Sequence, residues 1–302
     1  MGLYEVPGLM GWGIMLFVLF SLMAFNEFGR TTKWGGIVLL FIVPLVLTIF
    51  VRPKTAAPGN EYGTGTWFNW VKTYSALAGC LGFMAIRYIP GLSKKKFAFF
   101  FPPLILSLNI LEACIRDFQV FSYAAWEGAY IDNLWVMSGP WNIMNEIAGL
   151  LNIITICGWV GIIISKDKTK DMIWPWIIAY DLWNFAYTYN CIADHSFYCG
   201  LTLLLACTIP ALFIKKGAWL QHRASTLALW IMFIMTIPSF ADKLAPVPTT
   251  HNPKVFFIVS LLALIANEAL AVYQFTRIYK RKLNPLKDEI YKDTKIYNSV
   301  IS

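Results

Sequence analysis

Four acidic residues lie inside long apolar stretches of the sequence, where a charged side chain is costly. They are Glu112, Glu146, Asp181 and Glu268. A charge at the centre of a bilayer costs about 2.5–3.5 kcal/mol on insertion scales, so such residues usually face the protein interior or a hydrated cavity and serve a function. We therefore take these acids, and the amide and basic residues near them, as candidates for a functional site.

The spacing of the polar residues predicts one pocket on the outer side of three consecutive helices. In the first helix, Asn109, Glu112 and Arg116 are three and four positions apart and share one helical face. Consecutive helices with short connections tend to be neighbours, so their acids and amides should converge. The residues predicted to bind a substrate or a coupling ion are Asn109, Glu112, Arg116, Asp117, Asn145, Glu146, Asp181, Asn184 and Tyr187.

Three kinds of chemistry fit such a pocket. Asp181 has no basic residue in its own helix, so it is the best candidate for a proton relay, whereas Arg116 is expected to keep Glu112 or Asp117 ionised. Carboxylate and amide oxygens equally suit Na⁺ or another hard cation, and the nearby aromatic rings suit an organic cation. A polar network that only fixes helix packing is the fourth interpretation.

A second polar group is predicted near the cytoplasmic ends of the first and last apolar stretches. Glu27 and Arg30 are three residues apart and are expected to form an ion pair that acts as a structural clamp. Asn267 and Glu268 lie in the inner half of the last stretch. The four residues together would form an inner gate or a clamp.

The apolar stretches that position these residues are too long and too numerous for a soluble core. A membrane-spanning helix needs roughly 20 apolar residues. The chain is 58% hydrophobic and only 14% charged, against about 25% charged residues in soluble domains. We predict an all-α, polytopic transmembrane bundle in residues 1–276 and a basic cytoplasmic tail, expected to fray, in 277–302. The predicted spans are 8–28, 33–51, 67–89, 97–116, 141–164, 173–191, 197–214, 218–238 and 255–276.

The basic residues predict the orientation of this bundle. They cluster at every second connection, whereas 117–140 contains neither Lys nor Arg. By the positive-inside rule the N-terminus is outside and the C-terminus is cytoplasmic, with 52–66 as the exception. The net charge of +8 therefore reflects orientation rather than nucleic-acid binding. We expect a multi-pass protein of a bacterial cytoplasmic (inner) membrane whose partners are the lipid bilayer and a small solute or ion.

No catalytic residue, metal ligand or cofactor is predicted, because the zinc-protease, serine-hydrolase, phosphate-loop and dinucleotide-binding motifs are all missing. A retinal protein is excluded, since the last span has Lys254 only at its outer start. His222 and Arg223 are expected to face the cytoplasmic headgroups.

Two segments outside the spans leave alternatives open. Cys191 and Cys199 flank a short outer loop, where two unpaired thiols, a disulfide, or a metal site with Asp194 and His195 all fit the sequence. The segment 117–140 is either a re-entrant or interfacial helix, or an ordinary amphipathic loop.

The favoured function is membrane transport, by an ion- or proton-coupled permease for a small polar or cationic solute. One alternative is a membrane-embedded enzyme that acts on a lipid or a lipid-linked substrate. Another is a non-catalytic membrane sensor or assembly subunit. A transporter requires acids that lie deep in the bundle, an enzyme requires them near the outer headgroups, and a scaffold should have them fully paired and dry.

Overall fold

Long helices make up most of the protein in the computed structural model. The structure describes residues 2–5, 7–95, 97–156, 172–285 and 287–301. In chain order the helices are α1 (Leu9–Thr31), α2 (Lys33–Thr55), α3 (Trp67–Tyr88), α4 (Phe97–Ser122), α5 (Pro140–Ile154), α6 (Trp174–Cys191), α7 (Phe197–Ile214), α8 (Trp219–Thr236), α9 (Pro253–Arg281) and α10 (Lys295–Ile301), with shorter turns at Leu92–Lys94, Ala193–His195 and Phe240–Leu244.

Among the described helices, α1, α2, α7 and α9 are long and apolar enough to cross a membrane. The 23 residues of α1 rise about 34 Å at 1.5 Å per residue, which exceeds the roughly 30 Å of a bilayer core. Large apolar side chains such as Phe17, Trp34 and Val272 are exposed on these helices, as expected for surfaces that face lipid. The fold is therefore mostly helical, with helices whose length and composition suit a membrane.

Helix α6 is the central helix, although its sequence is the most polar of the predicted spans. Trp176, Tyr180, Trp183 and Tyr187 are all almost fully buried along it, and the first two stack on each other with their ring centres 5.2 Å apart. One buried cluster packs α6 between α4, α5 and α9, and another joins α1, α7 and α8. Polar residues are tolerated in α6 because neighbouring helices, rather than lipid, surround it.

The predicted loop 117–140 is a helix end followed by a hairpin, so the interfacial-helix interpretation is wrong. Helix α4 continues to Ser122, which places Asp117 inside the helix. Strand β1 (Ala129–Ile131) pairs in antiparallel fashion with β2 (Leu134–Val136). The turn residues Asp132 and Asn133 have φ values of 53° and 60°, as a two-residue type I′ turn requires.

Two further predicted segments differ from the structure or lie outside it. Residues 157–171 are not described, so the inner part of the predicted span 141–164 lies outside the described residues. Helix α9 continues to Arg281, across the predicted boundary at 276. The following segment folds back on α9 instead of fraying, because the Tyr291 hydroxyl is buried and donates to Gln274 Oε1 at 2.7 Å.

Gly149 allows α5 to pack directly against α4 and α6. A Cβ atom there would lie 2.4 Å from Cys114 Sγ and 2.7 Å from Trp183 Nε1, and the Trp183 indole is held by Asn145 O at 3.0 Å. We expect Gly149→Ala to lower the free energy of unfolding by about 1–3 kcal/mol, because overpacking forces buried neighbours to move. Denaturant titration of the protein in detergent micelles measures this loss.

Gly13→Ala is the matched control, since a Cβ at Gly13 meets no atom within 4 Å. Alanine should leave stability unchanged or raise it there, because glycine is unfavourable inside a helix. Equal losses in the two variants would contradict the close packing at Gly149.

Candidate functional site

A buried ion pair joins α3 to α4. Lys72 Nζ lies 2.6 Å from Glu112 Oε2, and both side chains are at most 10% exposed. Lys72 also donates to the Asn109 side-chain oxygen at 3.3 Å. Its ammonium group lies 4.9 Å from the centre of the Tyr187 ring on α6. Three predicted site residues are thus gathered around one lysine that the sequence analysis did not select.

Arg116 does not form the predicted ion pair with Glu112 or Asp117. Its Nη1 donates to Gln119 Oε1 at 2.9 Å and to the Tyr123 hydroxyl at 3.0 Å, and its guanidinium lies over the Phe68 ring. Lys72 occupies the place beside Glu112 that the prediction gave to Arg116. The helical spacing was sound, but the cation that compensates Glu112 comes from a different helix.

Asp117 is enclosed by neutral donors rather than by a cation. Its carboxylate accepts hydrogen bonds from Asn142 Nδ2 at 3.1 Å, Asn145 Nδ2 at 2.7 Å and Asn190 Nδ2 at 3.5 Å. The Cys191 thiol approaches the same oxygen at 3.4 Å. These donors come from α5 and α6, so Asp117 ties three helices together in a contact of its own beside the Lys72–Glu112 pair.

The next polar group along α6 contains Asp181 and Arg223, which bind different partners. Thr208 donates to Asp181 Oδ2 at 2.7 Å. Arg223 donates through Nε to the Tyr180 hydroxyl at 3.3 Å and through Nη2 to Asn184 Oδ1 at 3.2 Å. Arg223 is the cation whose charge acts on Asp181, yet Arg223 Nη1 and Asp181 Oδ1 are buried without hydrogen-bond partners.

The expectation that His222 and Arg223 face cytoplasmic headgroups is wrong. The two residues are 1% and 4% exposed, because α1, α6 and α7 cover the first turns of α8. His222 Nδ1 lies 2.6 Å from Asn26 Nδ2 on α1. The sequence analysis took these two residues as interfacial because they lie near the end of an apolar stretch. In the structure, however, α8 begins deep inside the protein.

Three small cavities follow one another through the bundle and connect these residues. The first, of about 40 Å³, is lined by Asn109, Tyr180 and Arg223. The second, of about 30 Å³, is lined by Lys72, Asn184, Tyr187 and Arg223. Arg223 and Leu227 border both, so these two cavities are adjacent. Lys72, Asn184, Tyr187 and Arg223 line the second cavity, Glu112 pairs with Lys72, and Asp181 is one helical turn from Asn184. We call these six residues the central site.

The third cavity extends this series to the loops. It measures about 30 Å³, shares Asn69 and Cys199 with the second cavity, and is bordered by His195 and Asp242. The His195 Nε2 and Asp242 Oδ1 atoms are 2.7 Å apart. The series therefore runs from the interior beside Arg223 to a histidine–carboxylate pair in the loops.

Other predicted site residues lie apart from the central site. Glu146 is only partly buried and does not take part in these contacts. The predicted Glu27–Arg30 ion pair is present, with Arg30 Nη2 at 2.5 Å from Glu27 Oε1. Asn267 instead donates to Ala179 O on α6 at 3.0 Å, and Glu268 is exposed. The four residues of the predicted inner polar group are thus not brought together.

Cys191 and Cys199 are both buried free thiols, so they do not form a disulfide with each other. Asp194 accepts instead from the His251 ring at 2.7 Å. Within the described ranges, no group of three His, Cys, Asp or Glu side chains is arranged to hold a metal ion.

The sequence predicted a single pocket of acids. The structure instead has acids and bases from several helices, which form neighbouring contacts. Asn109, Glu112, Asn184 and Tyr187 gather as predicted, together with the two bases Lys72 and Arg223. The signal for Lys72 was present in the sequence, since a lysine inside the apolar stretch 67–89 is as costly as a carboxylate. The signal for Arg223 was ambiguous, because it lies close to the start of a span.

Comparison with known proteins places the chain in a family without giving it an activity. No curated protein and no solved structure matches it significantly. The model of a family of unknown function, DUF5692, matches residues 6–302. Because this match covers nearly the whole sequence, the chain belongs to the DUF5692 family.

Proposed function

We propose that the protein is a multi-pass membrane transport protein, coupled to an ion or a proton, that moves a small polar solute through the bundle. The observation that carries the proposal is the central site, where the bases Lys72 and Arg223 border adjacent cavities in the interior. Each base has an acid nearby: Glu112 lies 2.6 Å from Lys72, and Asp181 lies one helical turn from Asn184, which accepts a hydrogen bond from Arg223. Transport sites in membrane proteins are typically such clusters of ionisable residues that face the bundle interior.

Unsatisfied groups favour transport over a purely structural network. Buried polar groups in native proteins almost always have hydrogen-bond partners. Arg223 Nη1 and Asp181 Oδ1 are among the buried atoms that lack them, as are nitrogens of Arg52 and Arg116. Arg223 differs from these two arginines because its side chain borders both the first and the second cavity. A solute or a water molecule in these cavities would supply the missing bond to Arg223.

The topology in this proposal is the one that the basic residues predict. Nine spans, an outer N-terminus and a cytoplasmic C-terminus put the His195–Asp242 pair on the outer side of a bacterial cytoplasmic membrane. The described helices coincide with the predicted spans over most of their lengths. The cavity series would then lead from the outer loops inward to Arg223.

The charges of the central site indicate which kind of solute can bind there. Lys72 and Arg223 border the second cavity, so a cationic solute would meet two positive groups at close range. Cavities of 30–40 Å³ hold about two or three water-sized probes each, which limits the solute to a few non-hydrogen atoms. A small polar solute therefore fits the site better than an organic cation.

Flux into proteoliposomes tests the proposal. The purified protein is placed in liposomes that contain a pH-sensitive dye, and gradients of urea, glycine, chloride and formate are imposed in turn. At least one solute should change the internal pH faster than in protein-free liposomes, and Asp181→Asn should slow that change. Rates equal to those of protein-free liposomes for all four would contradict transport, and equal rates in wild type and variant would remove Asp181 from the mechanism.

A further inference from the structure

We propose that the cavities beside Arg223 bind a small monovalent anion, and that the anion binds together with one proton on Asp181. The inference rests on the proposed function in that it names the solute class and the coupling ion of the same site. It is carried by a buried donor without an acceptor, by the second base on the cavity wall, and by the charge balance of the site.

Arg223 offers an unused donor to the cavities. A guanidinium group has five N–H donors and no acceptor. Arg223 donates through Nε to Tyr180 and through Nη2 to Asn184, while Nη1 is buried without a partner. Because the side chain borders both adjacent cavities, an acceptor placed there would satisfy the remaining N–H groups. An anionic acceptor forms a shorter and stronger bond to a guanidinium than a neutral acceptor does.

The rest of the second cavity supplies further donors. Lys72 and Asn184, whose side chains carry N–H groups, line it together with Arg223. The Lys72 charge is balanced by Glu112 at 2.6 Å, so Lys72 adds hydrogen-bonding capacity without adding net charge. Arg223 is therefore the group whose charge an incoming anion would meet.

The position of Asp181 explains why a proton must accompany the anion. Thr208 holds Asp181 Oδ2 at 2.7 Å, and Asp181 lies one helical turn before Asn184, whose Oδ1 accepts from Arg223 Nη2 at 3.2 Å. When Asp181 is ionised, it balances Arg223. An anion that enters then leaves one negative charge uncompensated in the interior, which is strongly unfavourable.

A proton on Asp181 restores the balance. The proton can reside on Oδ1, which has no hydrogen-bond partner, while Thr208 continues to donate to Oδ2. The site then holds the arginine cation, the neutral acid and the anion, with the same net charge as before. Tyr180 and Cys207 are the other titratable groups that act on this pair. Their ordinary pKa values of about 10 and 8.5 leave Asp181 as the proton acceptor near neutral pH.

The volumes limit the anion to one to four non-hydrogen atoms. About 10–15 Å³ accommodates one water-sized probe, so cavities of about 30 and 40 Å³ fit chloride or formate and exclude larger carboxylates. Chloride and formate are therefore the probes, with gluconate as the inert background anion.

Binding in detergent tests the site without requiring transport. Sodium chloride and sodium formate are titrated separately into the wild-type protein, and intrinsic tryptophan fluorescence is recorded. At least one anion should bind saturably, and Arg223→Gln should weaken that binding more than tenfold. Arg223→Lys keeps the charge and should give an intermediate affinity, which preserves the test if the glutamine variant does not fold.

The matched control is Arg52→Gln. Arg52 is also fully buried, contacts the Trp70 ring and has unpartnered nitrogens, but it does not border the first two cavities. Its replacement should change anion affinity less than twofold. If neither anion binds saturably, or if both Arg223 variants bind as tightly as wild type, the site is disproved.

The pH dependence of chloride binding tests the proton. The charge of chloride does not change with pH, so uptake of one proton per anion weakens the affinity up to tenfold for each unit of rising pH. Asp181→Asn should remove this dependence, whereas a wild-type affinity that is constant between pH 5 and 8 would overturn the coupling. Anion binding without any flux would contradict the proposed function alone. Flux of urea or glycine without anion binding would contradict this inference alone.

Discussion

Replacement of Lys72 by methionine is expected to lower the free energy of unfolding by about 3–5 kcal/mol, since removing one partner leaves the other charge buried and uncompensated. The remaining partner is Glu112, whose side chain is 4% exposed. Methionine retains much of the lysine volume, so the loss of unfolding free energy measures the effect of the uncompensated charge rather than that of a cavity. Denaturant titration in detergent micelles measures the difference.

The paired variant separates the charge effect from a packing effect. Exchanging Lys72 and Glu112 together for methionine removes both charges, and such exchanges of buried pairs are often neutral or stabilising. The double variant should therefore recover most of the loss. Lys243→Met is the matched control, because Lys243 pairs with Glu61 at 3.0 Å on the surface, where both side chains are more than 60% exposed. A double variant as unstable as Lys72→Met would contradict the assigned pair.

Exchange of Asp181 for asparagine is expected to abolish the accumulation of anion that a pH gradient drives. With one proton per anion, one pH unit can support about tenfold accumulation, because each unit is worth about 1.36 kcal/mol. Asparagine cannot take up the proton, but it can still accept the Thr208 hydrogen bond that Asp181 Oδ2 accepts at 2.7 Å. The accumulation ratio of the variant should therefore fall to about 1.

Exchange of labelled chloride at equal concentrations on both sides shows whether the Asp181→Asn protein is still active. The variant should retain measurable exchange while failing to accumulate chloride. Thr208→Val removes the hydroxyl that holds Asp181 and should reduce the rate without changing the final ratio. Tenfold accumulation by Asp181→Asn would contradict the role of Asp181 as the proton carrier.

Much of the helical framework could be predicted from the sequence, because apolar length is a strong and local signal. The bounds of α1, α3 and α6 lie within a few residues of the predicted spans. Helix α4 ends later than predicted. Its last turns carry Arg116 and Asp117, polar residues that the protein interior accommodates and that hydropathy alone reads as an end. The nine-span orientation stays a prediction.

The contacts of the site could be predicted only in part, because helical spacing identifies a shared face but not a partner across helices. Asn109 and Glu112 were placed on one face, and both do meet Lys72. That Lys72, rather than Arg116, compensates Glu112 depends on how α3 rotates against α4, which no local pattern encodes. Glu146 is the opposite case: the sequence analysis selected it because it lies in an apolar stretch, but it is not part of the central site.

The sequence separated Asp117 from Asp181 by the presence or absence of a nearby basic residue, but it could not show the amide donors around Asp117. In the structure Asp117 has three asparagine donors, whereas Asp181 has one hydroxyl donor and a buried oxygen without a partner. The first arrangement satisfies its acid and ties helices together. The second leaves capacity for a proton, and this contrast assigns the coupling role to Asp181.

The most direct test of the account is chloride uptake by wild-type proteoliposomes under a pH gradient and, separately, under a membrane potential with no pH gradient. One proton and one anion together carry no net charge, so the pH gradient should drive up to about tenfold accumulation per unit, and the potential alone should drive none. Accumulation in response to the potential alone, or none in response to the pH gradient, would contradict the claim that Arg223 and Asp181 bind an anion and a proton together.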